Sequence, residues 1–388
     1  SLYRLSDLQQ GMLFHALYEH GSGAYVEQFG CELANVDVAQ FINSWAHLIR
    51  RHSILRSGFE YDTFKVPIQC VYKEAVMPVD VLDYRKKNEA EQARAIRDYE
   101  DADRRRGFDF KAPPLMRVAL FRLSEERYYM LWSHHHIICD GWSGSLLMGE
   151  FLSVYENMVT GTELPDVPED KYEDYIRYIE SRDKHKEQQY WRSYLKGVEA
   201  GSLLPFIATK TERNKGLGQY KQALLFLDEH KTATITAYAQ SHKITVNTIM
   251  QGVWSYLLHR YTGNAHIVYG VTVSGRPDDL PGVEDRVGMY INTLPLHSLL
   301  GESLGITEWL QSIQQQQLES REHQYTGLNT IQGWTGIQGD LFDTLLVFEN
   351  YPVSKVISSR SWLLEASNPK VQEQGNYPLT ITVNAGAA

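Results

Sequence analysis

No run of apolar residues in this chain of 388 approaches the ~20 that a membrane-spanning helix needs, so a membrane partner is not expected. Cysteine is scarce: Cys31, Cys70 and Cys139 are odd in number and widely spaced. That excludes a disulfide framework and predicts a reducing, cytoplasmic setting. Basic charge is not in excess, since 38 Lys and Arg face 48 Asp and Glu and leave a formal net charge of −10. Nucleic acid is therefore not the expected partner. Neither a P-loop pattern nor a GxGxxG loop occurs, which leaves nucleotide hydrolysis and dinucleotide redox chemistry without support. Repeats at a solenoid period are missing too, and low complexity is confined to Gln314–Gln317.

What is present is the composition of an ordinary globular protein, 43% hydrophobic and 22% charged. The length exceeds the ~250–300 residues over which a single core grows, so two lobes are expected. Apolar spacing predicts a helix over 39–51, strands over 55–61 and 67–72, and a charged helix over 89–104. Strands over 115–123 and 128–133 should pair across the polar turn at Ser124–Glu126. The Gly- and Pro-bearing stretch 160–170 is the expected lobe boundary, giving lobes 1–170 and 171–388. In the second half the pattern predicts a long helix over 171–195, helices over 231–240, 245–261 and 306–322, and strands over 221–227, 266–273, 343–349 and 379–383. The expected class is therefore α/β, with two α+β lobes and a site in the cleft they leave.

The densest chemistry lies in Ser133-His134-His135-His136-Ile137-Ile138-Cys139-Asp140-Gly141-Trp142-Ser143, between an apolar strand and a helical pattern that runs to Gly161. Imidazole is the side chain best suited to proton exchange near neutral pH. Strand alternation puts His134 and His136 on one face and His135 on the other. Metal binding by His134, His136 and Asp140 is disfavoured, because adjacent strand residues do not chelate one ion easily. Cys139 as a nucleophile is weaker still, since no nucleophile signature surrounds it. A second conspicuous stretch runs from Val271 to Pro277 and on to Val287–Pro295, where glycines and small hydroxyls permit close backbone approach.

Several segments, in order along nearly the whole chain, resemble the motifs of nonribosomal peptide synthetase condensation domains, within the chloramphenicol acetyltransferase-like superfamily. They are Leu5-Ser6-Asp7-Leu8-Gln9-Gln10-Gly11-Met12-Leu13-Phe14-His15, Arg51–Phe59 (RHxxLRxxF), His135–Gly141 (HHxxxDG), Tyr172–Tyr175, Val287–Pro295 and His323–Tyr325. The resemblance implies two chloramphenicol acetyltransferase-like lobes in a V with a tunnel at their interface. It implies an acyltransferase that joins the amine of an acceptor aminoacyl thioester to a donor thioester. It implies no resident cofactor, the substrates arriving on 4′-phosphopantetheine arms. The partners it implies are upstream and downstream carrier proteins with adjacent adenylation or epimerisation domains.

By the same resemblance His136, His135, Asp140 and Gly141 are the catalytic motif residues: His136 is the reaction centre, as general base or as positioning group, and His135, on the other strand face, is structural. Asp140 pairs with an arginine, for which Arg56 is the matching candidate, and Gly141 clears a path for the acceptor arm. Trp142 and Asn292 are candidate tunnel residues. The intact HHxxxDG disfavours a heterocyclisation domain, and Gly288–Pro295 disfavours an epimerisation domain. The opening motif resembles the subtype that takes a D-configured donor. A docking module that keeps the fold without catalysis is the alternative. The trailing Asn384–Ala388 is unlike a domain end, so a missing C-terminal segment is expected.

Overall fold

The structure, a computed structural model, describes residues 1–18, 23, 25–207, 221–301, 304–349, 353–373 and 375–384. Ala385–Ala388, on which part of the C-terminal expectation falls, lie outside the described residues. The chain forms two compact units. The first comprises Ser1–Ser181, Arg276–Tyr290 and Tyr351–Gly375; the second comprises Arg182–Gly275, Ile291–Asn350 and Asn376–Ala388. The division is thus not a single cut after residue 170: the chain first changes unit after Ser181, and two segments of its second half belong with the first unit.

The first unit holds the strands β1 (Leu2–Arg4), β2 (Val26–Ala34), β3 (Ser57–Glu60), β4 (Ile68–Val71), β5 (Val79–Asp83), β6 (Met116–Arg122), β7 (Arg127–His135) and, from the far segment, β11 (Glu365–Gln372). A five-stranded sheet runs in the order β11-β2-β7-β6-β5 and a small one in the order β1-β4-β3. The hairpin β6–β7 pairs antiparallel as the polar turn predicts, with Met116 opposite His134. β7 is buried from Tyr128 to its end because neighbours flank it on both edges, which is why it reads as a nearly continuous apolar run.

Helices α1 (Asp7–Tyr18), α2 (Val38–Arg51), α3 (Glu89–Arg106), α4 (Gly141–Thr160) and α5 (Glu173–Glu180) belong to this unit. The predicted amphipathic face of α2 buries Phe41, Trp45, Leu48 and Ile49. Trp45 stacks on Phe151 of α4 at 4.6 Å between ring centroids and meets Trp132 of β7 at 5.3 Å. The expected strand at 55–61 is shorter, because Ser53–Arg56 form a 3₁₀ turn before β3.

In the second unit β8 (His266–Val273), β9 (Asn292–Leu299), β10 (Thr344–Glu349) and β12 (Leu379–Asn384) form a sheet of order β12-β10-β8-β9. Its helices include α6 (Lys184–Tyr194), α7 (Glu229–Ser241), α8 (Val246–Thr262), α9 (Ile306–Arg321) and α10 (Leu328–Thr335). The single long helix expected over 171–195 is two helices. The N–H of Ser181 closes α5 on the Arg177 carbonyl, and the Asp183 carboxylate starts α6 by accepting from the N–H groups of His185 and Lys186. No strand forms over 221–227, where Leu225 and Phe226 are 88% and 83% exposed. β-propensity without a neighbour to pair with does not make a strand.

Candidate functional site

The site is built where β7 ends. The backbone ladder to β2 continues one residue past the strand, since the N–H of His136 donates to the Tyr25 carbonyl at 2.8 Å. His136–Ile138 then turn in a 3₁₀ step, and Asp140 opens α4 as its N-cap, accepting from the Ser143 N–H at 2.7 Å. The ladder preserves the alternation expected from the sequence. His134 and His136 face the same way, and His135 faces the other.

Directly opposite His134 on β2 stands Glu27, a residue that no motif or periodicity in the sequence singles out. Its Oε2 lies 3.0 Å from His134 Nε2, and its Oε1 lies 3.3 Å from His136 Nε2. The second ring nitrogen of His136, Nδ1, donates to the Cys139 carbonyl at 2.7 Å. Burial favours the neutral acid at Glu27, yet the charge of His136, and then the contact with His134, hold its carboxyl below the usual carboxylate range. Burial likewise works against a charged His136, but the Glu27 carboxylate and the Cys139 carbonyl prevail and hold it above the ordinary imidazole value. Of the three consecutive imidazoles His136 is the most open, 18% exposed in its side chain against 6% for His134.

His135 is a packing residue. Its ring meets Phe110 edge-on at 4.8 Å, and its Nδ1 accepts from the Ile137 N–H at 3.1 Å. Burial, reinforced by the charges of His136 and His134, pushes it down to about 3. Cys139 is fully buried, and burial pushes its thiol well up, so no thiolate is available for nucleophilic attack. Among the described residues no group of three His, Cys, Asp or Glu side chains has the geometry to hold a metal ion.

Asp140 does pair with an arginine, but the arginine is not Arg56. The pair is with Arg276, whose Nη2 lies 3.4 Å from Asp140 Oδ1 and also donates to Ser143 Oγ at 2.9 Å. Asp140 Oδ2 accepts from the Tyr290 N–H at 3.0 Å, and Ser143 Oγ donates to the Gly288 carbonyl and accepts from its N–H. The segment Arg276–Tyr290 is thereby fastened to the start of α4 within the first unit. Arg56 instead donates to the carbonyls of Ile49, Arg50, Tyr72 and Lys73 and pairs with Glu169. Its role is to clamp the chain around β3 and β4, at a distance in function from Asp140.

A Cβ built on Gly141 would meet nothing within 4 Å, so the first turn of α4 leaves open space there. Trp142 is half-buried rather than part of the core. Its indole N–H donates to the Glu284 carbonyl, and the Arg276 guanidinium lies 5.0 Å from its ring. Asn292 belongs to the second unit, where its buried amide donates to the Gln324 and Thr326 carbonyls and so fastens that loop to the start of β9. A further buried cluster centres on His52 of the RHxxLRxxF segment. Its Nδ1 lies 3.0 Å from Asp170 and its Nε2 lies 2.7 Å from Glu150.

A family model described as Condensation domain matches residues 1–387. A linear gramicidin synthase of Brevibacillus parabrevis is 39% identical over 391 residues, covering 100% of this chain and 8% of that protein. Bacitracin synthase 3 of Bacillus licheniformis is 34% identical over 353 residues, covering 90% of this chain and 6% of that protein. The chain therefore spans a small part of the length of these curated relatives. Among solved structures, the starter condensation domain of rhizomide synthetase has a TM-score of 0.80 at 18% identity, covering 99% of this chain and 85% of that one. That likeness gives the fold, the chloramphenicol acetyltransferase-like one that the motifs imply. With a family match over nearly every residue, relatives of this identity and an HHxxxDG segment set at the end of a central strand, this chain belongs to the condensation domains of nonribosomal peptide synthetases.

Proposed function

We propose that this chain is an active acyltransferase that forms a peptide bond between two thioesters carried on 4′-phosphopantetheine arms, with His136 at the reaction centre. The donor comes on an upstream carrier protein and the acceptor on a downstream one. The acceptor ammonium gives up a proton, its nitrogen attacks the donor carbonyl, and the C–S bond breaks as the tetrahedral oxyanion collapses. The leaving thiolate takes a proton. Much of the acceleration comes from holding two tethered reactants at bonding distance, and much of the rest from charge placed beside the oxyanion.

The observation that carries this reading is the intact motif in which His136 alone combines an open ring with a carboxylate partner, while its two neighbours are buried. Gly141, next to open space, supports a passage for the acceptor arm, and Trp142 and Asn292 are proposed as tunnel residues by the resemblance. The opening motif Leu5–His15 supports a donor with a D-configured C-terminal residue.

The test supplies this chain with donor and acceptor carrier proteins loaded with varied, correctly configured substrates and follows dipeptidyl thioester by mass spectrometry. Wild type should give product and His136→Ala should lose at least about a hundredfold in rate. If neither gave product, the docking-module reading would replace this one. Equal rates with D- and L-terminated donors would remove the subtype.

A further inference from the structure

Glu27 joins two histidines that the chain brings to one face of its central strands. Among the described ion pairs its partners are imidazoles alone, at 3.0 Å for His134 and 3.3 Å for His136. The proton inventory of this trio follows from what surrounds each nitrogen. His134 stacks on Trp132 at 4.6 Å, and its Nδ1 is buried with no hydrogen-bond partner. Its Nε2 is close to Glu27 but off the line of a straight hydrogen bond. A second proton on this ring would place an N–H at a buried nitrogen with no acceptor, a cost that His136 Nδ1 does not carry. His136 differs. Its Nδ1 faces a carbonyl, which can only accept, and its Nε2 faces a carboxylate, which when ionised can only accept. A proton on Nδ1 is thus hydrogen-bonded, and a proton on Nε2 lies beside the opposite charge of Glu27 at 3.3 Å.

We infer that Glu27 is a positioning residue for the condensation reaction, its carboxylate setting the ring orientation and the proton inventory of His136 through the bridge it makes to His134 and His136. The inference rests on the reading of His136 as reaction centre and adds to it. A histidine with a proton on each nitrogen is a charge and a donor, not a base. In that state His136 contributes positive charge beside the developing oxyanion, and the proton of the acceptor ammonium passes to solvent water. The charged and titratable groups around His136 are Glu27 on β2, His134 and His135 on β7, Cys139 and Asp140 in the turn, and Glu373 beyond β11. Of these, the nearest carboxylate is the one on β2, and removing its charge changes His136 most.

The experiment measures single-turnover condensation across pH with both carriers loaded, in wild type, Glu27→Gln, Glu27→Asp and His136→Ala. Glu27→Gln should slow turnover about tenfold or more while leaving half-saturation by the acceptor carrier unchanged. Because the imidazolium is the working form, activity falls as pH rises through the His136 titration, and Glu27→Gln should move that alkaline limb to lower pH. Glu27→Asp keeps the charge and should return the limb toward wild type. A Glu27→Gln enzyme with wild-type rate and limb, beside an inactive His136→Ala, sinks the role of Glu27 and leaves the reaction centre standing. An active His136→Ala sinks the reaction centre itself. Should the variants fail to fold, ¹⁵N-histidine spectra of the wild-type chain decide: both His136 nitrogens should be protonated near neutral pH, and a neutral ring there overturns the inference.

Discussion

The Asp140 carboxylate accepts a hydrogen bond from the backbone N–H of Tyr290 at 3.0 Å, across 150 positions of sequence. With Arg276 and Ser143 it makes a closed polar knot at the N-terminus of α4, and the carboxylate in it is fully buried. Such a knot contributes more to the definition of one loop geometry than to net stability, because burying both charges offsets their attraction. Removing one partner is different, since it leaves the other charge stranded.

Asp140→Ala should therefore destabilise the fold by about 3–5 kcal/mol. In a double-mutant cycle Asp140→Ala and Arg276→Ala should couple by roughly 0.5–3 kcal/mol, while Asp140→Ala and Arg56→Ala should add. Urea unfolding of the single and double variants measures this. Coupling to Arg56 rather than Arg276 would contradict the pairing seen here.

His135→Leu should cost about 1–3 kcal/mol, because the Ile137 N–H loses its buried acceptor. The pH dependence has a definite sign. The folded His135 titrates near 3, below its ordinary 6.5, so between these values the unfolded chain binds more protons. Wild type should lose stability as pH falls through that interval, and His135→Leu should lose less. Unfolding midpoints at neutral and mildly acidic pH compare the two.

His52 behaves in the opposite sense. Burial opposes its charged form, but hydrogen bonds to Asp170 and Glu150 hold its titration above the ordinary 6.5. Its stabilisation is complete below that value and lost as pH rises through the folded-state titration. As pH rises above 6.5 and through the raised folded-state titration, wild type should lose this increment. His52→Ala should be weaker throughout by about 3–5 kcal/mol at the acidic end, and flatter across the interval.

Two glycines of the site should separate folding from function. Gly141→Ala places a methyl group in open space, so thermal unfolding should be nearly unchanged while condensation slows if the acceptor arm passes there. Gly288→Ala puts a Cβ 2.3 Å from the Tyr172 ring and should destabilise by about 1–3 kcal/mol. A Gly141→Ala enzyme with full activity would argue against the passage.

Much of the site was legible in the order of residues. Strand alternation separated His136 from His135, and the β2 ladder preserves that alternation past the end of β7 through the His136 N–H. Glu27 was not legible. Val26–Ala34 interleaves Glu27, Gln28, Gly30 and Glu32 with apolar residues, so no clean period of two marks it as a strand. A strand buried beside β7 tolerates those polar groups because histidines, Ser133 and α3 meet them.

By itself the sequence determined which local elements form and which chemistry is concentrated at His134–Gly141, because periodicity, capping residues and imidazole chemistry act over a few residues. It also carried the family, through ordered motifs. Partner choice was decided only by the tertiary structure. Arg276 rather than Arg56 meets Asp140, and Glu27 meets His136, because ion pairs and hydrogen bonds form between groups within about 3–4 Å, and that proximity is set by the sheet order β2-β7 and by the return of Arg276–Tyr290 to the first unit.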